Sequence, residues 1–268
     1  MRTLKITLFF ILIIGFVAHS QSTASSNVST FTIEAPQLHT HKKIWVYLPK
    51  DYKSSNTNYP VIYMHDAQNL FDIETAYARE WNVDEYLDTL TTKQVIIVAI
   101  AHGNDKRIDE LTPYPNTTYG GGNGAAYIDF ITKTLKPHID ITYPTRPDAK
   151  NTTIFGSSLG GLISFYAIIQ YPDIFGNAGV FSPSFWFSDA IYELVNTTEL
   201  NKNSRFYFVM GTKESETAVP NLKKMVQLLK DNGIKEQQII NKIVANGTHS
   251  ESFWSTQFPE AHKWLIQE

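Results

Sequence analysis

The chain contains no cysteine, which removes disulfide bonding, a thiolate nucleophile and any cysteine-based metal site together. The same absence rules out a bacterial lipid anchor behind the apolar N-terminal run. No basic run occurs and the formal net charge is −3, which argues against nucleic acid as a partner. No spaced ligand set such as HExxH is present, so neither a metal nor another cofactor is expected. No repeat, low-complexity tract or linker divides residues 29–268, and one domain is the economical reading. Hydrophobic residues make up 43% of the chain, enough for a sizeable core without staples.

A long membrane-spanning run is also missing. Ile6 to Val17 is apolar but short, with Arg2 and Lys5 before it and Ala18 and Ser20 after it. That pattern predicts a signal peptide over residues 1–20, cleaved near Ser20. Residues 21–28, polar and rich in Ser and Thr, then read as a flexible leader. The expected destination is the periplasm or the exterior, with no stable membrane anchor after cleavage.

What is present alternates between two periodicities. Phe31–Glu34 and Lys43–Leu48 read as an antiparallel pair of opening strands. Tyr59–Met64 and Gln94–Ala101 are nearly continuous apolar runs, as strands buried on both faces should be. Further strands are predicted at 175–181, 205–210 and 238–244, and helices at 80–90, 125–139, 219–232 and 253–267. This alternation implies an α/β fold with a mostly parallel central sheet and helices on both faces.

The chain is organised around Asn151 to Ile163. Asn151-Thr-Thr-Ile-Phe155 reads as a short strand, and apolar residues recur at helical spacing from Leu159. Between them stands Gly156-x-Ser158-x-Gly160, the pattern of a sharp strand-to-helix turn that exposes one serine hydroxyl. Choosing Ser157 instead would put Phe155 and Leu159 where the glycines are needed, so Ser158 is the candidate nucleophile. Its hydroxyl needs a base, and the base needs an orienting acid. In the fold built on such a turn the chain order is serine, acid, histidine. Downstream of Ser158 only His249 and His262 occur. His249 follows the last predicted strand in a turn, whereas His262 beside Lys263 in a predicted helix reads as a solvated surface residue. Glu214 in Gly211-Thr-Lys-Glu214 follows a strand end and is the favoured acid, with Glu216 its competitor. The expected oxyanion donors are the backbone N–H groups of Leu159 and Ala67, with Gln68 as the alternative to Ala67.

Four motifs in this order, Tyr59–Asp72 containing His65-Asp-Ala-Gln-Asn69, Gly156–Gly161, Gly211–Glu214 and Gly247–Glu251, are similar to those of the putative esterase family of α/β-hydrolases. That family includes siderophore esterases, feruloyl and acetylxylan esterases, S-formylglutathione hydrolases and mycolyltransferases. The resemblance runs from about Phe31 to the C-terminus and implies an α/β-hydrolase fold and serine carboxyl-ester hydrolysis. It places Ser158, Glu214 and His249 at the triad positions. Two departures stand out: Ala67 where relatives often carry glycine, and glutamate where several branches use aspartate.

The substrate is read less directly. Arg107 and Tyr114, in the polar segment 104–123, are candidates for binding an oxygen-rich or anionic group. Trp186, with Phe185 and Trp254, is a candidate for stacking a sugar or an aromatic acyl group, although Trp254 also reads as core. No lipase-like apolar lid is visible, so a small-molecule or carbohydrate ester is expected over a triglyceride. An acyltransferase using the same three residues and a non-catalytic binding relative remain as alternatives. Oligomeric state is not written in the chain.

Overall fold

The computed structural model describes residues 21–266; the signal-peptide expectation over residues 1–20 lies outside them. Eight strands form one sheet: β1 Val28–Ala35, β2 Thr40–Tyr47, β3 Val61–His65, β4 Ile96–Ile100, β5 Thr152–Ser157, β6 Asn177–Phe181, β7 Arg205–Gly211 and β8 Ile239–Val244. Their spatial order is β1-β2-β4-β3-β5-β6-β7-β8. The opening hairpin is antiparallel and joins β4 antiparallel, and every pairing from β4 to β8 is parallel. The mostly parallel sheet expected from the sequence is therefore present.

Among the described residues, eight α-helices cover it: α1 Val83–Asp88, α2 Arg107–Leu111, α3 Gly124–Phe130, α4 Lys136–Thr142, α5 Leu159–Gln170, α6 Ala190–Thr197, α7 Ala218–Asp231 and α8 Glu251–Leu265. The predicted helix over 125–139 is one continuous run from α3 to α4 through a π turn, Ile131–Leu135. The unbroken apolar strands follow from the two covered faces. Val61, Tyr63, Ile96 and Val98 face one core, while Ile62, Met64, Ile97 and Ala99 face the other. α5 is apolar around nearly its whole circumference because its residues from Leu159 to Ile169 are buried. Among the described residues, no helix is long and apolar enough to cross a membrane.

Two expectations change. Within residues 21–28, read as a flexible leader, three residues are held by carboxyl groups: Ser22 Oγ donates to Asp72 (2.6 Å), Thr23 Oγ1 to Glu80 (2.7 Å), and the Ser25 N–H to Asp84 (2.7 Å). The Ser/Thr content that suggested looseness supplies the donors. His262, read as a surface residue, is fully buried, and its Nδ1 lies 3.1 Å from Tyr86 Oη. It shares the buried face of α8 with Phe258, Ala261 and Leu265.

Burial pushes the His262 imidazole down to about 4. The unfolded chain binds that proton near pH 6.5 and the folded chain does not. Unfolding therefore takes up a proton between about 4 and 6.5, and this group's contribution to stability rises with pH through that window. Relative to wild type, His262→Gln is expected to be destabilised near neutral pH. The deficit should shrink by about 3 kcal/mol on acidification to pH 4, as wild type alone loses this contribution. Denaturant unfolding of both proteins at several pH values checks this, and a pH-independent difference would contradict it.

Candidate active site

The ends of β3, β5, β7 and β8 converge on Ser158. The chain leaves β5 through Ser158 at φ 58° and ψ −121°, a conformation L-residues seldom adopt, and enters α5 at Leu159. Two backbone contacts fix the bend: the Ser158 N–H donates to Phe181 O (2.9 Å) and the Leu162 N–H to Ser158 O (3.0 Å). A Cβ on Gly156 would lie 2.7 Å from the Gly160 carbonyl carbon, so the turn closes only with glycine there. Ser157 is the buried last residue of β5.

His249 Nε2 lies 2.9 Å from Ser158 Oγ, and His249 Nδ1 lies 2.8 Å from Glu214 Oε2. A carboxylate accepts and cannot donate, so the ring hydrogen sits on Nδ1 and Nε2 is left to accept from the serine hydroxyl. Glu214 comes from the turn after β7, and its side chain is 3% exposed. Its second oxygen, Oε1, accepts from the Gly211 N–H (2.6 Å) and from Ser182 Oγ (2.6 Å). Both carboxylate oxygens are thus engaged by donors. Glu216, the competing acid, is exposed.

The turns carrying Glu214 and His249 are tied together. The Thr212 N–H donates to Val244 O (3.0 Å), the Lys213 N–H to Gly247 O (2.9 Å) and the Asn246 N–H to Thr212 Oγ1 (2.9 Å). A Cβ on Gly211 would fall 2.3 Å from the Gly247 carbonyl carbon, so the two backbones touch where glycine faces glycine.

The two expected oxyanion donors are brought to neighbouring elements. Leu159 opens α5 directly after Ser158. Ala67 is buried in the short turn after β3, where Asp66 reverses the chain at φ 56°. The end of β3 lies against the start of α5: a Cβ on Gly160 would sit 3.3 Å from His65 Cβ and 3.4 Å from Asp66 Oδ2. Gln68, whose backbone N–H is the alternative donor, sits in the same turn, and its side chain donates to His102 O (3.3 Å) and accepts from the His102 N–H (3.1 Å).

Ser158 and His249 open into a cavity of about 440 Å³ that also exposes Asn69, Tyr77, His102 and Arg107. Arg107 is held by Asp66 through two bonds, Nε to Oδ1 (2.7 Å) and Nη2 to Oδ2 (2.8 Å). Burial alone would raise the Asp66 carboxyl, but the guanidinium outweighs it and holds the group below its usual value. Trp186 is 54% exposed beside Tyr119, on the turn that begins at Ser184. Neither Trp186 nor Tyr114 is among the residues lining this cavity; Tyr114 packs edge-to-face on Tyr166, with ring centroids 6.1 Å apart.

His65, Asp66 and Asp72 take separate partners: Tyr127 Oη for His65, Arg107 for Asp66, and Ser22 and Thr23 for Asp72. Sequence reasoning missed the Asp66–Arg107 pair and the roles of Ser182 and Ser184. Ser184 Oγ stands 3.5 Å from Ser158 Oγ. The recurrent serines of Ser182-Pro-Ser184, directly after a strand, were the available signal.

The arrangement can remove a proton from Ser158, stabilise the resulting imidazolium and accept an acyl group at the serine oxygen. Comparison with known proteins gives an independent view. A family model described as putative esterase matches residues 35–265. An uncharacterized protein of Bacillus subtilis, YbbA, is 28% identical over 241 residues, covering 84% of this chain and 92% of its own. Among solved structures, the BES protein from Bacillus cereus superposes with a TM-score of 0.74 at 19% identity, covering 95% of this chain and 100% of its own. An IroE-like serine hydrolase from Shewanella oneidensis gives 0.72 at 19% identity, covering 89% and 80%. These two likenesses establish the shared α/β-hydrolase fold.

Proposed function

Since the chain belongs to the putative esterase family, we propose that it is a serine carboxyl-ester hydrolase working through Ser158, His249 and Glu214. The observation that carries this reading is His249 bridging Ser158 Oγ at 2.9 Å and Glu214 Oε2 at 2.8 Å. Ser158 Oγ attacks the ester carbonyl carbon while its proton passes to His249 Nε2. Glu214 faces the imidazolium, and the Leu159 and Ala67 N–H groups receive the charge on the carbonyl oxygen. Collapse breaks the bond to the alcohol oxygen, which takes the proton from His249. Water then attacks the acyl-enzyme by the same proton route, releasing the acid and restoring Ser158.

The substrate is a small soluble ester, an acylated carbohydrate or a siderophore. The Arg107 charge is already matched by Asp66, so the pocket suits a neutral, oxygen-rich group better than a free anion. Trp186 offers a face for a sugar or aromatic ring. Export through residues 1–20 belongs to the same proposal, and a native N-terminus at Met1 would contradict it.

A hydrolysis panel of acetyl, feruloyl and siderophore-lactone esters beside long-chain triglycerides tests the reading. Turnover is expected on at least one soluble ester and not on triglycerides. Preference for triglycerides, or release of product only when an added alcohol accepts the acyl group, would overturn it.

A further inference from the structure

Glu214 does not hold its own position. It is a buried carboxylate whose oxygens could exchange places by rotation about its last bond, and a relay from two distant elements prevents this. The Trp254 Nε1–H, on α8, donates to Ser182 Oγ (2.8 Å), and that hydroxyl donates its single hydrogen to Glu214 Oε1 (2.6 Å). Accepting from the indole fixes the direction of the serine rotor. With Gly211 N–H on the same oxygen at 2.6 Å, only Oε2 remains for His249. Ser182 is itself 2% exposed and held at φ 43°, where its N–H donates to Val209 O (2.7 Å). A non-glycine residue kept in that region by its surroundings marks a position the fold over-determines. Trp254 also meets the His249 ring edge-on, with centroids 4.9 Å apart at 86°.

We infer that Ser182 and Trp254 are positioning residues of the reaction, directing one oxygen of Glu214 at His249. This rests on the serine-hydrolase reading above and adds two residues to it. Removing the serine hydroxyl frees Oε1 from one donor, concentrates negative charge on the carboxylate and lets it turn away from the imidazole. The first effect changes the charge facing the imidazole. The second slows proton transfer without touching substrate.

The test compares kcat, KM and the pH profile of kcat/KM on a soluble ester for wild type, Ser182→Ala and Trp254→Phe, the last keeping an aromatic ring but losing the indole N–H. Wild-type turnover that is abolished in Ser158→Ala secures the underlying reading separately. Ser182→Ala is expected to lose roughly tenfold to a hundredfold in kcat with KM nearly unchanged. Its acid limb should be displaced from the wild-type position, because the carboxylate facing His249 is altered. Trp254→Phe should displace the same limb by less. The other titratable and charged groups bordering the His249 pocket, Asp66, Tyr77, His102, Arg107 and Glu251, are unaltered in every variant, so the difference reports on Glu214 and His249. Should Ser182→Ala fail to fold, Trp254→Phe decides. Wild-type kcat and pH profile in a folded variant would overturn the inference. So would a loss of activity with an unmoved acid limb, which is the mark of a purely structural role.

Discussion

Replacing Ser158 by alanine is expected to lower kcat by roughly 10⁴-fold to 10⁶-fold, with KM little altered. The argument is geometric. Ser158 Oγ is the atom within 2.9 Å of the base, at the apex of a turn whose backbone is fixed by the Phe181 and Leu162 contacts. Alanine keeps the Cβ, so the turn at φ 58° keeps its steric environment and only the hydroxyl is lost. Residual turnover above the water rate should persist, because oxyanion donors and binding survive the change. Ser184 Oγ lies 3.5 Å from Ser158 Oγ but belongs to a different turn, and the hydrogen bond of His249 Nε2 goes to Ser158. It is not expected to take over.

His249→Ala is expected to cost about as much as Ser158→Ala, and the double variant no more than either single. Attack and deprotonation are one event, so losing the base leaves the hydroxyl with its proton. Glu214→Ala removes an orienting and charge-stabilising group and leaves the base in place, so a smaller loss of roughly tenfold to 10⁴-fold follows. Glu216→Ala is expected to behave as wild type, since that side chain is exposed. Steady-state kinetics of the five variants, Ser158→Ala included, checks the order. A large loss in Glu216→Ala with none in Glu214→Ala would reassign the acid, and additive losses in the double variant would deny that Ser158 and His249 act as a unit.

These residues were legible because each sits in a local pattern. Gly156-x-Ser158-x-Gly160 encodes its own bend, and Glu214 and His249 each follow a strand end in a turn. The strand runs were legible for a similar reason, since burial on both faces leaves an apolar stretch unbroken. What depends on contacts between distant segments could not be read. Arg107 meets Asp66 across 41 positions and Trp254 meets Ser182 across 72, and neither pairing leaves a mark on local periodicity. The sequence therefore offers Arg107 as a candidate for binding an oxygen-rich or anionic group, whereas Asp66 already matches its charge. Helix α2 is too short, at 5 residues, to display the repeat by which longer helices are recognised. His262 was the avoidable miss. Its spacing from Phe258 and Leu265 puts it on an apolar helix face, and the neighbouring Lys263 drew the reading outward.

The central claim is that Ser158 is an activated nucleophile, and labelling with a fluorophosphonate addresses it most directly. The probe forms a stable bond with a serine oxygen only where a base takes the proton and donors accept the developing charge. Peptide mapping by mass spectrometry is expected to find one label per chain, on Ser158. The label should be lost in Ser158→Ala and His249→Ala, and kept in Ser157→Ala, whose side chain is buried at the end of β5. A label on Ser157, or a folded and ester-hydrolysing protein that takes no label at all, would contradict the account.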